Sequence, residues 1–105
     1  SRGLGDVYKR QGETMLYTFS KAHYATQELQ ALLTQVSEND AIVLWQDGVL
    51  QAVKNPQIFS NQRIFALDND VQARGLNHYI PEHIQRISFD EFVSLTEQFY
   101  PQIAF

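Results

Sequence analysis

Residues 41–48 read AIVLWQDG, and this stretch decides the fold class. Its first five residues, Ala41–Trp45, are continuously apolar, whereas a strand with one solvated face would alternate apolar and polar residues. A continuous apolar run is typical of a parallel strand that is buried on both faces. Gln46, Asp47 and Gly48 then turn the chain. The stretch therefore predicts one inner strand of a parallel sheet.

The segments on either side alternate between strand and helix patterns. In chain order they are a strand at Met15–Phe19, an apolar helical stripe over 26–36, the strand at 41–45, a short helix at 49–54, a strand at Arg63–Leu67, a helix at Val71–Arg74, a weaker strand at Ile84–Ile87 and a helix at 89–99. Such alternation across short connections predicts a single α/β domain with a mainly parallel sheet of four or five strands. Right-handed crossovers are the default connection.

Two helix boundaries carry specific signals. Ser88 and Glu91 have the spacing of a capping box, and Pro101 predicts the end of that helix, leaving residues 102–105 as a tail. Along this helix the residues at 89, 92, 93, 96 and 99 continue one helix face. Earlier in the chain, residues 68–70 are expected to cap the helix at 71–74, and Gly75 to terminate it.

Composition excludes several classes of protein. The chain has 105 residues, 12 acidic and 8 basic side chains, a formal net charge of −4 and no cysteine. An acidic chain of this size does not predict a nucleic-acid surface or an anionic-membrane surface. Its longest apolar runs are far below the roughly 20 residues of a membrane helix. The lack of cysteine removes disulfides and thiolate chemistry and fits a reducing, cytoplasmic location.

Residues 1–14, SRGLGDVYKRQGET, differ from the rest of the chain. They show neither a helical nor a strand period, and they hold three of the eight basic residues. They also lack the apolar core of a signal peptide. We expect this segment to be a non-native leader, and residues 15–105 to form the domain.

Acidic residues follow two of the predicted strands, at the edge where parallel α/β sheets place their sites. Asp47 could be a nucleophile or a metal ligand. The interpretation that we favour is that Asp47 caps the next helix. Asp68 and Asp70 together are a possible magnesium pair, although Asp70 is also placed to form an ion pair with Arg74, four residues on.

Other chemistry-bearing residues form no recognisable motif. The loop at 20–24 has no glycine-rich phosphate cradle, and His23, His78 and His83 lack the spacing of a metal site. We therefore expect no catalytic set, no cofactor and no metal. This pattern favours a binding or structural subunit over an autonomous enzyme.

Four segments, taken in order, resemble the TusB/DsrH family of sulfur-relay proteins. They are the opening strand MLYT at 15–18, IVLWQDGV at 42–49, ALDNDVQARGL at 66–76 and FVSLT at 92–96. The most specific of them is the segment at 66–76, which includes Asp70, Arg74 and Gly75. The second contains the family's QDGV turn. The resemblance covers essentially residues 15–105.

The resemblance implies a three-layer α/β/α fold of the DsrE/F/H type. It further implies assembly with TusC-like and TusD-like subunits into a hetero-hexamer, which passes persulfide sulfur from TusA towards TusE for 2-thiolation of the tRNA wobble uridine. Some relatives carry a cysteine in the loop after the first strand, but the loop at 20–25 of this chain has none. The chain is therefore expected to be a non-catalytic subunit of the tRNA-thiolation branch.

Two hypotheses remain open from the sequence. One is this structural subunit, and the other is an independent small-ligand or regulatory domain that uses the acidic loops after strands two and three. For the first, we expect Phe99, Tyr100 and Phe105 to supply subunit contacts, because Pro101 prevents all three from facing one helix stripe and aromatics are favoured interface anchors.

Overall fold

The computed structural model describes residues 14–60 and 63–105. The strands are β1 (Leu16–Phe19), β2 (Ala41–Leu44), β3 (Arg63–Leu67), β4 (Gln85–Ile87) and β5 (Gln102–Ala104). The helices are α1 (Thr26–Leu33), α2 (Leu50–Lys54), α3 (Asp68–Ala73) and α4 (Phe89–Gln98), and a 3₁₀ turn at Gln46–Val49 precedes α2. No helix in the described part of the chain is both long and apolar enough to cross a membrane.

All five strands form one parallel sheet in the order β4-β3-β2-β1-β5. The inner strand β2 pairs with β1 on one side and β3 on the other, and all four of its residues are fully buried. The parallel inner strand predicted from the apolar run at 41–45 is thereby confirmed, together with the α/β fold class.

Helices cover the two faces of the sheet unequally. One apolar cluster packs α1, α2 and α3 onto the face that presents Tyr17 and Phe19. The cluster on the opposite face holds Leu16 and Val43 against Phe92, and α4 is the only described helix that contributes to it. The predicted three-layer α/β/α arrangement is confirmed, with three helices on one face and one helix on the other.

The prediction of a tail after Pro101 is wrong. The chain turns at Pro101 and adds β5 to the sheet, in register with β1 so that Leu16 lies beside Gln102 and Thr18 beside Ala104. The ring of Phe105 then stacks on Phe19 with centroids 5.2 Å apart. A three-residue strand has too little periodicity to be detected locally, and the free edge of β1 is what makes it a strand.

The helix after β3 begins earlier than expected. Asp68 and Asp70 lie within the first turn of α3, where the helix dipole favours negative charge, rather than outside it as caps. The predicted terminator is confirmed, because Gly75 has a φ of 68°. The capping box of α4 is also confirmed: the Glu91 N–H donates to Ser88 Oγ over 3.1 Å, and the Ser88 N–H donates to Glu91 Oε1 over 2.7 Å.

Residues 1–13 lie outside the described residues, so the leader proposed for 1–14 stays a prediction there. Thr14 is described, and its carbonyl oxygen accepts a hydrogen bond of 3.2 Å from the N–H of Tyr100. This antiparallel bridge joins Thr14, two positions before β1, to the residue before the turn into β5. Thr14 therefore takes part in the fold.

Candidate functional site

The carboxyl ends of β1, β2 and β3 bring three loops together, and we call this end of the sheet the carboxyl edge. The loop after β1 covers residues 20–25, the turn after β2 covers Gln46–Val49, and α3 follows β3 directly. In parallel α/β sheets this edge is the usual location of a ligand site. Each loop is therefore described by the contacts that hold it.

The turn after β2 is held by a backbone contact and by one side chain. The Trp45 N–H donates to the carbonyl oxygen of Phe19 over 3.1 Å, and a Cβ on Gly48 would lie 1.9 Å from that same oxygen. Glycine is thus required at 48 by the close approach of two backbones. The left-handed residue of the turn is Gln46, with a φ of 52°, and its N–H donates to Asp70 Oδ2 over 2.6 Å.

Arg74 connects α3 to this turn. Its Nη1 lies 3.5 Å from Asp70 Oδ1, which confirms the predicted i,i+4 pair. Its Nε and Nη2 lie 3.0 and 2.8 Å from Asp47 Oδ1, a contact between residues 27 positions apart. The prediction that Asp47 caps the following helix is wrong, since no side chain caps α2 or the 3₁₀ turn that precedes it. Asp47 instead binds the guanidinium group.

Asp68 belongs to a second network on the other side of α3. Arg86 Nε donates to Asp68 Oδ1 over 2.6 Å, and Gln72 Nε2 donates to Asp68 Oδ2 over 2.5 Å. Arg86 also donates to the backbone carbonyl and to the side-chain Oδ1 of Asn77. Asp68 and Asp70 thus pair with different arginines. Within residues 14–60 and 63–105, no three His, Asp or Glu side chains form a group that could hold a metal ion.

The loop after β1 is fixed from inside by Tyr24. The Tyr24 hydroxyl accepts hydrogen bonds of 3.1 Å from the N–H groups of Ser20 and Lys21, and donates one of 3.0 Å to the carbonyl oxygen of Phe105. Burial raises the pKa of Tyr24 above its ordinary value, which favours the neutral phenol that can donate this bond. The loop is thereby attached to the end of β5.

Helix α2 holds the same loop from its other side. Gln51 is 1% exposed, and its Nε2 donates to the carbonyl oxygen of Ala22 over 2.7 Å. Lys54 Nζ donates to the same oxygen over 2.7 Å. Asn55 completes the arrangement by donating to Gln51 Oε1 over 2.8 Å. The loop at 20–25 therefore has a fixed backbone and presents no thiol.

The three aromatic residues predicted for subunit contacts have different environments. Phe99 is 6% exposed and packs in the cluster beneath α4, while Phe105 stacks on Phe19 and packs against the opposite face. Tyr100 is 80% exposed and is the member of the three whose ring lies at the surface. Phe89 and Val93, which the sequence puts on the same helix face as the buried Phe92, are 54% and 40% exposed.

These features define a class of protein: a small α/β domain whose parallel sheet has an arginine–aspartate network at its carboxyl edge. The family model described as "DsrH like protein" matches residues 21–102. This chain belongs to the DsrH-like family, as its resemblance to TusB/DsrH proteins predicts.

Relatives in the same family match almost over their full length. The chain is 42% identical over 94 residues to an uncharacterized protein from Haemophilus influenzae, covering 86% of this chain and 99% of that one. It is 40% identical over 95 residues to Protein TusB from Cronobacter sakazakii, with the same two coverages. The solution NMR structure of protein Tm0979 from Thermotoga maritima matches with a TM-score of 0.60 at 23% identity, covering 81% of this chain and 93% of that chain. That structural match supports the fold.

Replacing Asp70 with alanine is expected to lower the free energy of unfolding by about 1–2 kcal/mol, because it removes a charged acceptor from both the Gln46 N–H and Arg74. Urea denaturation measures the change. Asp90→Ala is the matched control, since Asp90 is an exposed first-turn acidic residue of α4. Equal stability of the two variants would mean that Asp70 does not fix this turn.

Proposed function

We propose that this chain is a non-catalytic subunit of a sulfur-relay complex for tRNA modification. In this role it assembles with TusC-like and TusD-like subunits into a hetero-hexamer. The complex passes persulfide sulfur from a TusA-like donor towards a TusE-like acceptor, for 2-thiolation of the wobble uridine. The observation that carries the proposal is the 40% identity to Protein TusB across 99% of that protein's length.

The non-catalytic part of the proposal rests on the chemistry of sulfur relay. A relay residue must attack a persulfide as a thiolate and then hold the transferred sulfur. The chain contains no cysteine, and its one methionine has a thioether that has no proton to lose. The loop after β1 offers Ser20, Lys21 and His23, none of which stores persulfide sulfur. The resemblance to the TusB/DsrH family implies that the sulfur-carrying cysteine belongs to the TusD-like subunit, and the proposal assigns it there.

The contribution of this chain is then structural. The fixed loop after β1 and the Arg74 network give the carboxyl edge a defined shape without any group that would react with a persulfide. Such a surface completes an assembly, shields a partner's cysteine from water or helps to dock the next carrier. TusA and TusE are contacted only through the complex, no nucleic acid is bound directly, and the location is the cytoplasm.

A persulfide donor tests the proposal at the level of the isolated chain. We expect mass spectrometry to find no gain of one sulfur atom on this chain, because it has no thiol to accept it. The matched control is the TusD-like subunit treated in the same way, which should gain sulfur. A stable sulfur adduct on this chain would contradict the non-catalytic assignment.

Reconstitution tests the assembly. We expect the three subunits to co-elute in size-exclusion chromatography, and sulfur transfer to fall when this chain is omitted. A TusC-like and TusD-like pair that transfers sulfur at full rate alone would leave the chain without this role. A monomeric chain that binds neither subunit but does bind magnesium or a nucleotide would support the small-ligand alternative.

A further inference from the structure

Exposed apolar side chains concentrate at one end of the described chain. Four large apolar residues are substantially exposed, and three of them lie on α4 or just after it: Phe89, Val93 and Tyr100, at 54%, 40% and 80%. The fourth is Tyr79, in the loop before β4. Helix α4 is also the only described helix that packs on its face of the sheet.

Helix geometry shows which flank of α4 carries these residues. Successive residues are turned by about 100°, so Phe89, Val93 and Thr96 share one flank while Phe92 lies towards the sheet. The opposite flank, with Glu91, Ser94 and Gln98, lines a cavity of about 190 Å³ together with residues of β3 and β4. The flank with Phe89 and Val93 is therefore turned towards β1 and β5.

The sheet next to that flank is thinly covered. Gln102 of β5 donates to the carbonyl oxygen of Thr96, which places β5 beside α4. Leu16 belongs to the cluster beneath α4, and its register partner in β5 is Gln102. Gln102 therefore lies on the α4 face of the sheet, and so does Ala104, two residues further on. Both residues are exposed. We define the α4–β5 face as the surface formed by Phe89, Val93, Tyr100 and Ala104.

The segment that carries this face, residues 87–105, is one-sided in charge, and the basic group placed against it is Arg63 of β3, whose Cζ lies 5.8 Å from the centroid of the Phe99 ring. Residues 87–105 contain Asp90, Glu91 and Glu97 and no lysine, arginine or histidine, whereas residues 1–86 contain nine acidic and eight basic residues. Glu91 is occupied by the capping box, while Asp90 and Glu97 are exposed and lie on the solvent side of α4. The α4–β5 face is thus an apolar surface with an acidic margin.

We propose that the α4–β5 face docks a partner protein whose contact surface is apolar at its centre and lysine- or arginine-rich at its margin. Attraction between opposite charges at the two margins would fix how the two surfaces are oriented relative to each other. A second copy of this chain is a poor occupant, because a two-fold contact would bring the acidic margin of one copy to the acidic margin of the other, and residues 87–105 supply no basic side chain to pair with it. The inference rests on the proposed function, in which this chain is a subunit of a larger assembly.

Paired variants separate the apolar and the electrostatic parts of the contact. The first pair combines Phe89→Ser with Val93→Ser, and the second combines Asp90→Lys with Glu97→Lys. Tyr79→Ser is the matched control: Tyr79 is 64% exposed, but its neighbours Leu76 and Ile80 pack against the opposite face of the sheet. Circular dichroism confirms that each variant is folded before its affinity is measured.

The probe is the purified pair of TusC-like and TusD-like subunits, titrated into each variant in a calorimeter at low and high salt. We expect both paired variants to weaken binding by roughly ten-fold or more, as central interface residues do, and Tyr79→Ser to leave it unchanged. Wild-type binding should weaken as salt rises, and this salt dependence should be reversed with Asp90→Lys/Glu97→Lys, because salt then screens a repulsion. Hydrogen exchange of the wild-type complex should show protection over residues 89–104.

Three outcomes overturn the inference in distinguishable ways. A complex of wild-type affinity with both paired variants, or protection confined to other segments, overturns the docking face while the proposed function stands. A wild-type chain that binds neither subunit overturns the proposed function and this face with it. A wild-type homodimer that Phe89→Ser/Val93→Ser dissociates would make the occupant a second copy.

Discussion

Gly48→Ala is expected to lower the free energy of unfolding by about 3 kcal/mol, through overpacking against backbone atoms that cannot move aside. An added Cβ would lie 1.9 Å from the carbonyl oxygen of Phe19 and 2.6 Å from its carbonyl carbon. That oxygen also accepts the N–H of Trp45, so relieving the clash would disturb the pairing of β1 with β2. Urea denaturation followed by circular dichroism measures the loss.

Gly75→Ala is the matched control for this prediction. Gly75 has a φ of 68°, but a Cβ there would meet no atom within 4 Å, so only the cost of the left-handed backbone applies. That cost is about 1 kcal/mol. The steric argument for Gly48 would be contradicted if its alanine variant were no less stable than that of Gly75.

Deleting residues 101–105 is expected to cost about 4 kcal/mol or more, which is a large share of the stability of a small domain. The deletion removes β5 from beside β1 and takes the Phe105 ring off Phe19. It also removes the oxygen that accepts hydrogen bonds from Ser20 and Tyr24. Thermal denaturation of the truncated chain should show a strongly lowered Tm.

Tyr100→Ala provides the control, because this residue is 80% exposed and its substitution should change stability by no more than about 0.5 kcal/mol. A truncated chain with the same Tm as the wild type would contradict the structural role of β5. If residues 101–105 were a tail, their deletion would be expected to weaken assembly more than it lowers the Tm. In the structure this segment is strand β5, so its deletion would destabilise the domain as well as disturb assembly. Point variants test assembly without that loss of stability.

Local signals in the sequence predict much of this fold. The apolar run at 41–45 identifies an inner parallel strand, and the Ser88–Glu91 spacing fixes the start of α4, because each depends only on residues close together in the chain. The Asp70–Arg74 pair is likewise a property of one helical turn. These features follow from periodicity and capping alone.

Contacts between distant segments are not encoded in any local pattern. Asp47 meets Arg74 across 27 positions, and Tyr24 meets Phe105 across 81, because the crossovers bring separate loops to one edge of the sheet. Helix α4 shows a different limit. In the sequence, Phe89 and Val93 continue the helix face of the buried Phe92. These positions span more of the helix than the sheet covers, so Phe89 and Val93 are exposed.

The strand order has a consequence for how the chain is made. β1 is the first strand of the described chain, yet it lies between β2 and β5, so one of its edges is closed only by residues 102–104. A nascent chain leaving the ribosome can pair β1 with β2 early, but the other edge of this fully buried strand stays open until synthesis reaches the last strand. An open apolar edge is a template for wrong pairing. Until residues 102–104 pair with it, that edge of β1 is therefore a place where the folding chain can form wrong strand pairs.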